Sequence, residues 1–231
     1  IGRLSAGIAH EVKNPLAIIQ MGIDFLQAEY QQDVSKEILQ DMTGAVDRAD
    51  GVIKGLLDFS RDKELSLKPG DINQVIRDSI HLIEHELRQH NIQLVLSLAD
   101  DLPLLSMDSN KLQQVFINLF MNAIQAMGQQ GTLEVISKQT LLKDPGFITR
   151  RDSGFRQNQK IIEIRINDTG SGLPKNKAEA VFEPFFTTKA VGEGTGLGLS
   201  VSRSIVQLHQ GAIMMQNRKT RGVEVKIIFP Y

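Results

Sequence analysis

Two asparagines spaced one helical turn apart are the first candidates for chemistry in this sequence. In residues 108–127 the apolar side chains surround a polar column, which comprises Lys111, Gln114, Asn118, Asn122 and Gln125. Asparagine is a poor helix former, and a buried, unpaired amide costs about 1–3 kcal/mol, so Asn118 and Asn122 should have partners. The Asn122 oxygen suits a hard cation such as Mg²⁺, which takes one or two protein oxygens and fills its octahedron with phosphate and water. The alternative is a hydrogen-bonded polar seam between a helix and a sheet.

A single carboxylate stands in the glycine-containing stretch NDTGSGLP, residues 167–174, directly after a predicted strand. Gly170 and Gly172 allow positive φ and let the backbone come close to a flat ligand. The Asp168 carboxylate could accept a hydrogen bond from an exocyclic amine such as that of adenine. An ordinary Asp-Gly turn would have the same composition, so this stretch alone leaves both interpretations open.

Four alternating glycines, Gly192, Gly194, Gly196 and Gly198, precede a predicted helix in VGEGTGLGLS, residues 191–200. Glycines that lead into a helix N-terminus offer free N–H groups and the positive end of the helix dipole, which together bind phosphate. The spacing fits neither GxGxxG nor the P-loop pattern. The alternative is a flexible lid without a ligand.

Three phenylalanines, Phe182, Phe185 and Phe186, lie close together in VFEPFFTTK, residues 181–189. Aromatic side chains in a segment without regular periodicity predict either a hinged lid or docking surface, or anchoring into the core.

The elements that must position these residues fall into two predicted domains, residues 1–66 and 67–231. In the first, helical apolar periodicity runs over 4–26 and again over 38–59, with a polar turn at 31–35. The resulting apolar stripe is wider than one helical hairpin can bury, which predicts a dimeric four-helix bundle. Packing of the stripe on the rest of the same chain is the alternative.

The second domain mixes alternating and helical patterns. Strands are predicted at 92–98, 132–137, 161–167, 211–216 and 223–229, with helices at 109–128 and 198–209. Asp71 is the expected N-cap of a further helix through the 80s. This mixture predicts an α/β sandwich, a mixed sheet with helices on one face. Residues 143–159 are expected to form a long hairpin loop, to which we assign no chemistry.

Composition excludes several classes of protein. The net charge is −1 and the pI about 6.6, which disfavours nucleic acid and anionic membrane surfaces as partners. There are no cysteines, so disulfides and thiolate chemistry are excluded, and no apolar run approaches a membrane span. The sequence begins at Ile1 within an amphipathic pattern, so we expect it to be a segment of a longer, cytoplasmic or membrane-anchored protein.

In this order the motifs resemble those of the sensor histidine kinases, whose catalytic domain belongs to the Bergerat-fold ATPases. The resemblance covers nearly the whole chain. HEVKNP resembles the phosphoacceptor box, the helix with Asn118 and Asn122 the N box, and DTGSG the first glycine box. FEPFFTTK resembles the F box and GTGLGLS the second glycine box.

The resemblance implies a binding site for ATP and Mg²⁺. Asn122 would ligate Mg²⁺ with support from Asn118, and Asp168 would bind the adenine amine beside Gly170 and Gly172. The phosphates would lie along the second glycine box, which comprises Gly194, Thr195, Gly196, Leu197 and Gly198, under a lid over about 173–195. Lys189 is a candidate for the terminal phosphate. The sequence departs from many relatives at Gln125, where they carry a basic residue.

The resemblance also explains a proline inside the first helix. Pro15 has no N–H for the carbonyl of Glu11, and its ring clashes with that carbonyl, so the helix should bend just after His10. A neutral imidazole has a free lone pair to attack the γ-phosphate of ATP, and Glu11 resembles the general base. Asn14, one turn beyond His10, resembles the residue that positions water for dephosphorylating a response regulator.

The implied partners are a second copy of the chain through the hairpin and the receiver domain of a response regulator, with no nucleic acid and no direct membrane contact. Whether each protomer phosphorylates itself or its twin depends on the handedness of the turn at 31–35. Two other functions stay open at this point: a Bergerat-fold ATPase that hydrolyses ATP for conformational work, and a catalytically silent dimeric scaffold.

Overall fold

The computed structural model describes residues 65–143, 155–174, 177–184, 186–187 and 196–231, together with helical positions between residues 16 and 49. Those helical positions are 16–17, 19–24, 26, 39–40, 42–44, 46 and 49. The chain divides into two compact units, residues 1–63 with 183–201 and residues 64–182 with 202–231.

In the first unit, the described positions are helical where the apolar periodicity predicts helices. Ile23 of the first helical segment is buried together with Leu39 and Val46 of the second, and Leu16 packs against this cluster. Other apolar residues of the predicted stripe remain 41–46% exposed: Ile19, Leu26 and Met42. The two segments therefore share a small core, and part of the apolar stripe stays uncovered among the described residues.

Among the described residues, the second unit contains seven strands and three α-helices, the last of which begins in the first unit. The strands are β1 (Lys68–Gly70), β2 (Ile92–Leu98), β3 (Leu105–Met107), β4 (Gly131–Leu141), β5 (Lys160–Asn167), β6 (Ala212–Asn217) and β7 (Val223–Pro230). The helices are α1 (Ile72–Gln89), α2 (Ser109–Met127) and α3 (Gly198–Leu208), and a short 3₁₀ helix covers Ala180–Phe182.

Five of the strands form a mixed sheet in the order β2-β4-β5-β7-β6. β2 runs parallel to β4, and the other three neighbouring pairs are antiparallel. β7, which follows the others along the chain, lies between β5 and β6. A separate antiparallel pair joins β1 to β3.

One face of the sheet is apolar, and the other carries a charged cluster beside a smaller apolar one. On β5, Ile162 and Ile164 are fully buried, and the alternate residues Glu163 and Arg165 point to the opposite face. Glu163 there forms ion pairs with Arg165 at 2.8 Å and with Lys138 and Lys226 at 3.2 Å. Helices α1 and α2 pack on each other, and α2 contacts β4 and β5. The predicted fold class, an α/β sandwich with helices on one face of a mixed sheet, is confirmed.

Aspartates cap both long helices. The Asp71 side chain accepts the N–H of Asn73 at 2.8 Å at the start of α1, as the sequence predicts, and Asp108 accepts the N–H of Lys111 at 3.2 Å at the start of α2. These caps fix where each helix begins.

All five predicted strands are present, and β4 extends beyond the prediction to Leu141. The short β1–β3 pair was not predicted, because three residues are too few for a period-two pattern. At the base of the predicted 143–159 loop, Leu142 exchanges backbone hydrogen bonds with Asn158 and Gln159. Within the described part of the chain, no helix is long and apolar enough to cross a membrane.

Candidate active site

Asp168 lies directly after β5, at the edge of the sheet where the first glycine box begins. It is only 5% exposed. Its Oδ1 accepts the backbone N–H groups of Gly170 at 2.7 Å and Val223 at 3.1 Å. No hydrogen bond to Oδ2 comes from any described residue, so this oxygen remains available to a ligand.

The electrostatics of Asp168 follow from its burial. Burial raises the pKa of the Asp168 carboxyl above its usual value, although the N–H groups of Gly170 and Val223 and the charge of Arg218 each draw the pKa back down. The two N–H groups and Arg218 thus offset only part of the cost of burying the Asp168 charge. Such a carboxylate gains from a further hydrogen-bond donor.

The β6–β7 turn holds the Asp168 segment in place. The Arg218 guanidinium donates to the carbonyl oxygen of Asp168 at 2.9 Å, and Arg221 Nε donates to that of Gly170 at 3.2 Å. Asn217 accepts the N–H of Leu173 at 2.6 Å through Oδ1 and donates to its carbonyl at 2.9 Å through Nδ2. Three side chains of one turn thus bind the backbone of the first glycine box.

Glycine is required at two positions of this region for steric reasons. A Cβ on Gly170 would lie 2.8 Å from the backbone of Ala126, near the end of α2. Gly222 has φ +93°, and a Cβ there would overlap the carbonyl of Asp168. Gly172 also has positive φ, at +84°, beside Asn217. The close contacts of Gly170 and Gly172 in this structure are with the Ala126 backbone and with Asn217, and the predicted approach to a ligand stays a prediction.

The two asparagines of α2 have different environments. Asn118 Nδ2 donates to Ser202 Oγ of α3 at 2.9 Å, which matches the polar-seam interpretation of the column. Asn122 is half-buried, and its side chain forms no hydrogen bond with any described residue. Gln125 is exposed. Of the predicted metal and nucleotide residues on this helix, Asn122 is the one with an unused amide.

The chemistry of Asn122 fits Mg²⁺. An amide oxygen is a hard ligand, and Mg²⁺ in phosphate-binding sites takes few protein ligands. Within the described residues there is no group of three or more histidines or carboxylates that could form a metal site by itself. A cation ligated by the Asn122 oxygen would take further ligands from phosphate and water.

The second glycine box is described from Gly196 onwards. Gly196 has φ +66°, Leu197 is 2% exposed, and Ser200 Oγ donates to the Leu197 carbonyl at 2.8 Å. α3 then begins at Gly198, so its first turn presents N–H groups without helical partners. The predicted helix start directly after the glycine-rich stretch is present, and Gly196 additionally has positive φ.

Several predicted residues lie outside the described residues. These are His10, Glu11, Asn14, Lys189, Gly192, Gly194, Thr195 and Phe185. Of the F-box aromatics, Phe182 is buried, and the Arg203 guanidinium lies 5.4 Å from its ring centroid. Core anchoring is therefore the correct interpretation for Phe182.

Sequence reasoning missed the residues that position the site. Ser202, Asn217, Arg218 and Gly222 bind or abut site residues about 45–85 positions away. The only local signal was the polar turn after β6, which also has the composition of an ordinary hairpin turn.

Known families match both parts of the chain. A model of the histidine kinase-, DNA gyrase B- and HSP90-like ATPases matches residues 107–231, and one of the His kinase A phosphoacceptor domain matches residues 1–65. The chain therefore belongs to the histidine kinase-, DNA gyrase B- and HSP90-like ATPase family and, with its phosphoacceptor domain, to the histidine kinases of two-component systems.

Curated relatives agree with this membership. The sensor histidine kinase ZraS of Escherichia coli (strain K12) is 33% identical over 231 residues, which is 100% of this chain and 45% of the relative. Sporulation kinase E of Bacillus subtilis (strain 168) is 31% identical over 230 residues, covering 100% of this chain and 28% of the relative. The chain thus spans less than half the length of these relatives.

Solved histidine kinases have similar structures. Full-length ShkA in complex with AMPPNP superposes with a TM-score of 0.76 at 20% identity, covering 100% of this chain and 46% of that one. Histidine kinase ThkA in complex with the response regulator protein TrrA gives a TM-score of 0.68 at 26% identity, covering 99% and 61%.

Proposed function

We propose that this chain is the kinase core of a two-component sensor, which phosphorylates His10 from ATP and passes the phosphoryl group to an aspartate of a response regulator. The observation that carries the proposal is the buried Asp168, whose Oδ2 has no donor among the described residues. An adenine amine would supply that donor, and the family supplies the rest of the expectation.

In the proposed site the chain binds and orients the nucleotide. Asp168 Oδ2 accepts the adenine amine, with Gly170 and Gly172 shaping the segment beside the base. The N–H groups of the second glycine box, Gly194, Thr195, Gly196, Leu197 and Gly198, bind the phosphates, with Lys189 at the terminal one. Asn122 would hold Mg²⁺, supported by Asn118, and the ion when bound neutralises phosphate charge.

The phosphoryl step uses the N-terminal domain. One ring nitrogen of His10 attacks the γ-phosphorus, forming a P–N bond while the bond to the β,γ-bridging oxygen breaks and ADP leaves. Glu11 takes the proton from the other ring nitrogen. In the second step the carboxylate of the regulator's aspartate attacks the same phosphorus and releases His10. Asn14 positions water for the reverse signal, dephosphorylation of the regulator.

We propose the domain division at residues 66 and 67. It is supported by the match of the phosphoacceptor model to residues 1–65 and by the start of the second compact unit at Glu64. We also propose that the first domain dimerises, because Ile19, Leu26 and Met42 remain exposed. The protein carrying this segment would present it to the cytoplasm, where response regulators and ATP are found, without nucleic-acid or direct membrane contact.

The proposal predicts an acid-labile label on the purified segment from γ-labelled ATP. His10→Gln should abolish the label and leave nucleotide binding intact, while His85→Gln, an exposed histidine of α1, should change neither. A label that persists in His10→Gln would exclude this histidine. Steady ATP hydrolysis without any phosphoprotein would instead indicate an ATPase that performs conformational work.

Two further variants test the partner proposals. Asn14→Ala should retain autophosphorylation and lose phosphatase activity towards the phosphorylated regulator, and equal loss of both activities would contradict a separate role. Ile19→Asp should convert a dimer to a monomer in analytical ultracentrifugation, whereas Leu104→Asp, at a residue 63% exposed in the second unit, should not.

A further inference from the structure

His209 is a buried histidine that the proposed mechanism does not use. It follows α3 directly and is 5% exposed. Its Nδ1 lies 2.8 Å from the carbonyl oxygen of Ile205, and its Nε2 lies 2.9 Å from the backbone nitrogen of Asp108. A carbonyl can only accept and a backbone N–H can only donate. Nδ1 must therefore carry the proton, and Nε2 must offer its lone pair, so the imidazole is neutral in a single tautomer.

The partner of His209, Asp108, connects three segments. Its backbone N–H donates to His209 Nε2, and its Oδ1 accepts the N–H of Lys111 as the N-cap of α2. Its Oδ2 accepts the N–H of Ser66 at 3.1 Å. Ser66 stands at the sequence boundary proposed between the two domains. The first turn of α2 is thus tied to that boundary and, through His209, to the end of α3.

A second polar contact joins the same two helices. Asn118 donates to Ser202 at 2.9 Å. Together with the bond from Asp108 to His209, this contact shows that α2 and α3 lie side by side in opposite directions. Asn118 is one turn from Asn122, and Ser202 is one turn from Gly198. Two hydrogen bonds about 15 Å apart along α2 therefore fix the register of its asparagines against the helix that begins at the second glycine box.

We propose that His209 is a positioning residue of the nucleotide site: its unprotonated Nε2 accepts the Asp108 N–H and thereby holds the register between α2 and α3. The role rests on the nucleotide binding of the proposed function but not on His10. Loss of the acceptor leaves the backbone N–H of Asp108 unpaired at the start of α2. The helices then shift to satisfy it, and Asn122 moves with them.

Protonation has the same effect as loss of the acceptor. A proton on Nε2 would point at the Asp108 N–H, which has only a hydrogen to offer. Burial lowers the pKa of His209, while the Ile205 carbonyl and the Asp108 charge oppose this shift. Asp108 is the charged group that acts on the ring from the described elements packed on it, and Phe229 of β7 meets the ring edge-on at 6.4 Å. His209 is thus neutral at pH 7 and takes up a proton only below its ordinary pKa of about 6.5.

The test compares the wild type with His209→Gln and His209→Leu. Calorimetry measures the Mg²⁺-dependent affinity of each for a non-hydrolysable ATP analogue between pH 7.5 and 5.5. His209→Gln keeps an acceptor near the position of Nε2 but cannot titrate, and His209→Leu has neither property. At pH 7.5 we expect wild-type affinity in His209→Gln and a loss of about fivefold or more in His209→Leu, the lower end of couplings between sites. Towards pH 5.5 the wild type should weaken relative to His209→Gln by a similar factor.

His85→Gln serves as a surface control, and thermal unfolding identifies the temperatures at which every variant is folded. ¹⁵N NMR of the wild-type imidazole should report the Nδ1–H tautomer, independently of any variant. An Nε2–H tautomer, or wild-type affinity in His209→Leu at pH 7.5, would overturn the proposal. So would equal pH dependence in wild type and His209→Gln. If the wild type itself binds no nucleotide, the proposed function fails and this role fails with it.

Discussion

Replacing Asp168 by asparagine should separate nucleotide affinity from folding stability. Asparagine has the same shape, and its Oδ1 can still accept the N–H groups of Gly170 and Val223. Its amino group then occupies the position of Oδ2 and meets the adenine amine, donor against donor. A hydrogen bond to a charged acceptor contributes about 1.5–3 kcal/mol, so the affinity for ATP should fall about 10- to 150-fold.

Stability should respond in the opposite direction. The folded-state pKa of Asp168 is raised, so the folded protein holds its proton more tightly than the unfolded chain does. Wild-type stability therefore falls as pH rises from the unfolded value of about 3.8 to the raised value, and the cost remains in full above it. Asp168→Asn removes that cost, and we expect an apo melting temperature at neutral pH equal to or above that of the wild type.

The assay combines calorimetry with a non-hydrolysable ATP analogue and thermal melting without ligand. Asp101→Asn removes the same charge from an exposed position and should change neither measurement. Unchanged affinity in a folded Asp168→Asn would refute the adenine contact. A melting temperature far below that of the wild type would show that the main role of Asp168 is to stabilise the fold.

Three further predictions follow from the neighbouring contacts. Arg218→Gln removes a charge that lowers the pKa of Asp168, so the loss of ATP affinity on acidification should begin at a higher pH than in wild type. Arg221→Gln should leave this pH profile unshifted. Calorimetry at several pH values measures both profiles. Asn122→Ala should weaken ATP binding in Mg²⁺ but not in EDTA, and the exposed Gln125→Ala should bind normally in both. Gly222→Ala combines a steric overlap with positive φ and should lower the free energy of unfolding in urea by about 3 kcal/mol or more. Gly128→Ala also has positive φ, but its Cβ would meet no neighbour within 4 Å, so it should lower that free energy by about 1 kcal/mol.

The fold was largely predictable because its signals are local. The alternation from Ile162 to Asn167 predicts β5, since Ile162, Ile164 and Ile166 face the helices and the polar residues between them face the charged side. Asp71 predicts a helix start for an equally local reason, the acceptor at its N-cap. β1 and β3 have no such signal, because their pairing joins residues such as Pro69 and Ser106 that are far apart in sequence.

The candidate site was predictable only in part. Local chemistry left Asn122 and Asp168 each with an ordinary structural alternative, and the resemblance to a family was needed to choose between them. The contacts of Arg218 and His209 could not be predicted, since each depends on a backbone group that is distant in sequence and brought close only by the tertiary fold. Asn118 forms the polar seam that was one interpretation of this column, whereas the role of Asn122 as a Mg²⁺ ligand stays a prediction.

The position of β7 in the sheet determines when β5 gains its second neighbouring strand during synthesis. During translation β5 is synthesised well before β7, and until Val223–Pro230 leaves the ribosome one edge of β5 is unpaired and exposes a strand rich in isoleucine. An unpaired apolar strand edge of this kind is a site at which chains can aggregate, and the pairing of β7 with β5 covers it. Because Val223 also supplies an N–H to Asp168, the adenine site proposed above is incomplete until β7 has paired with β5.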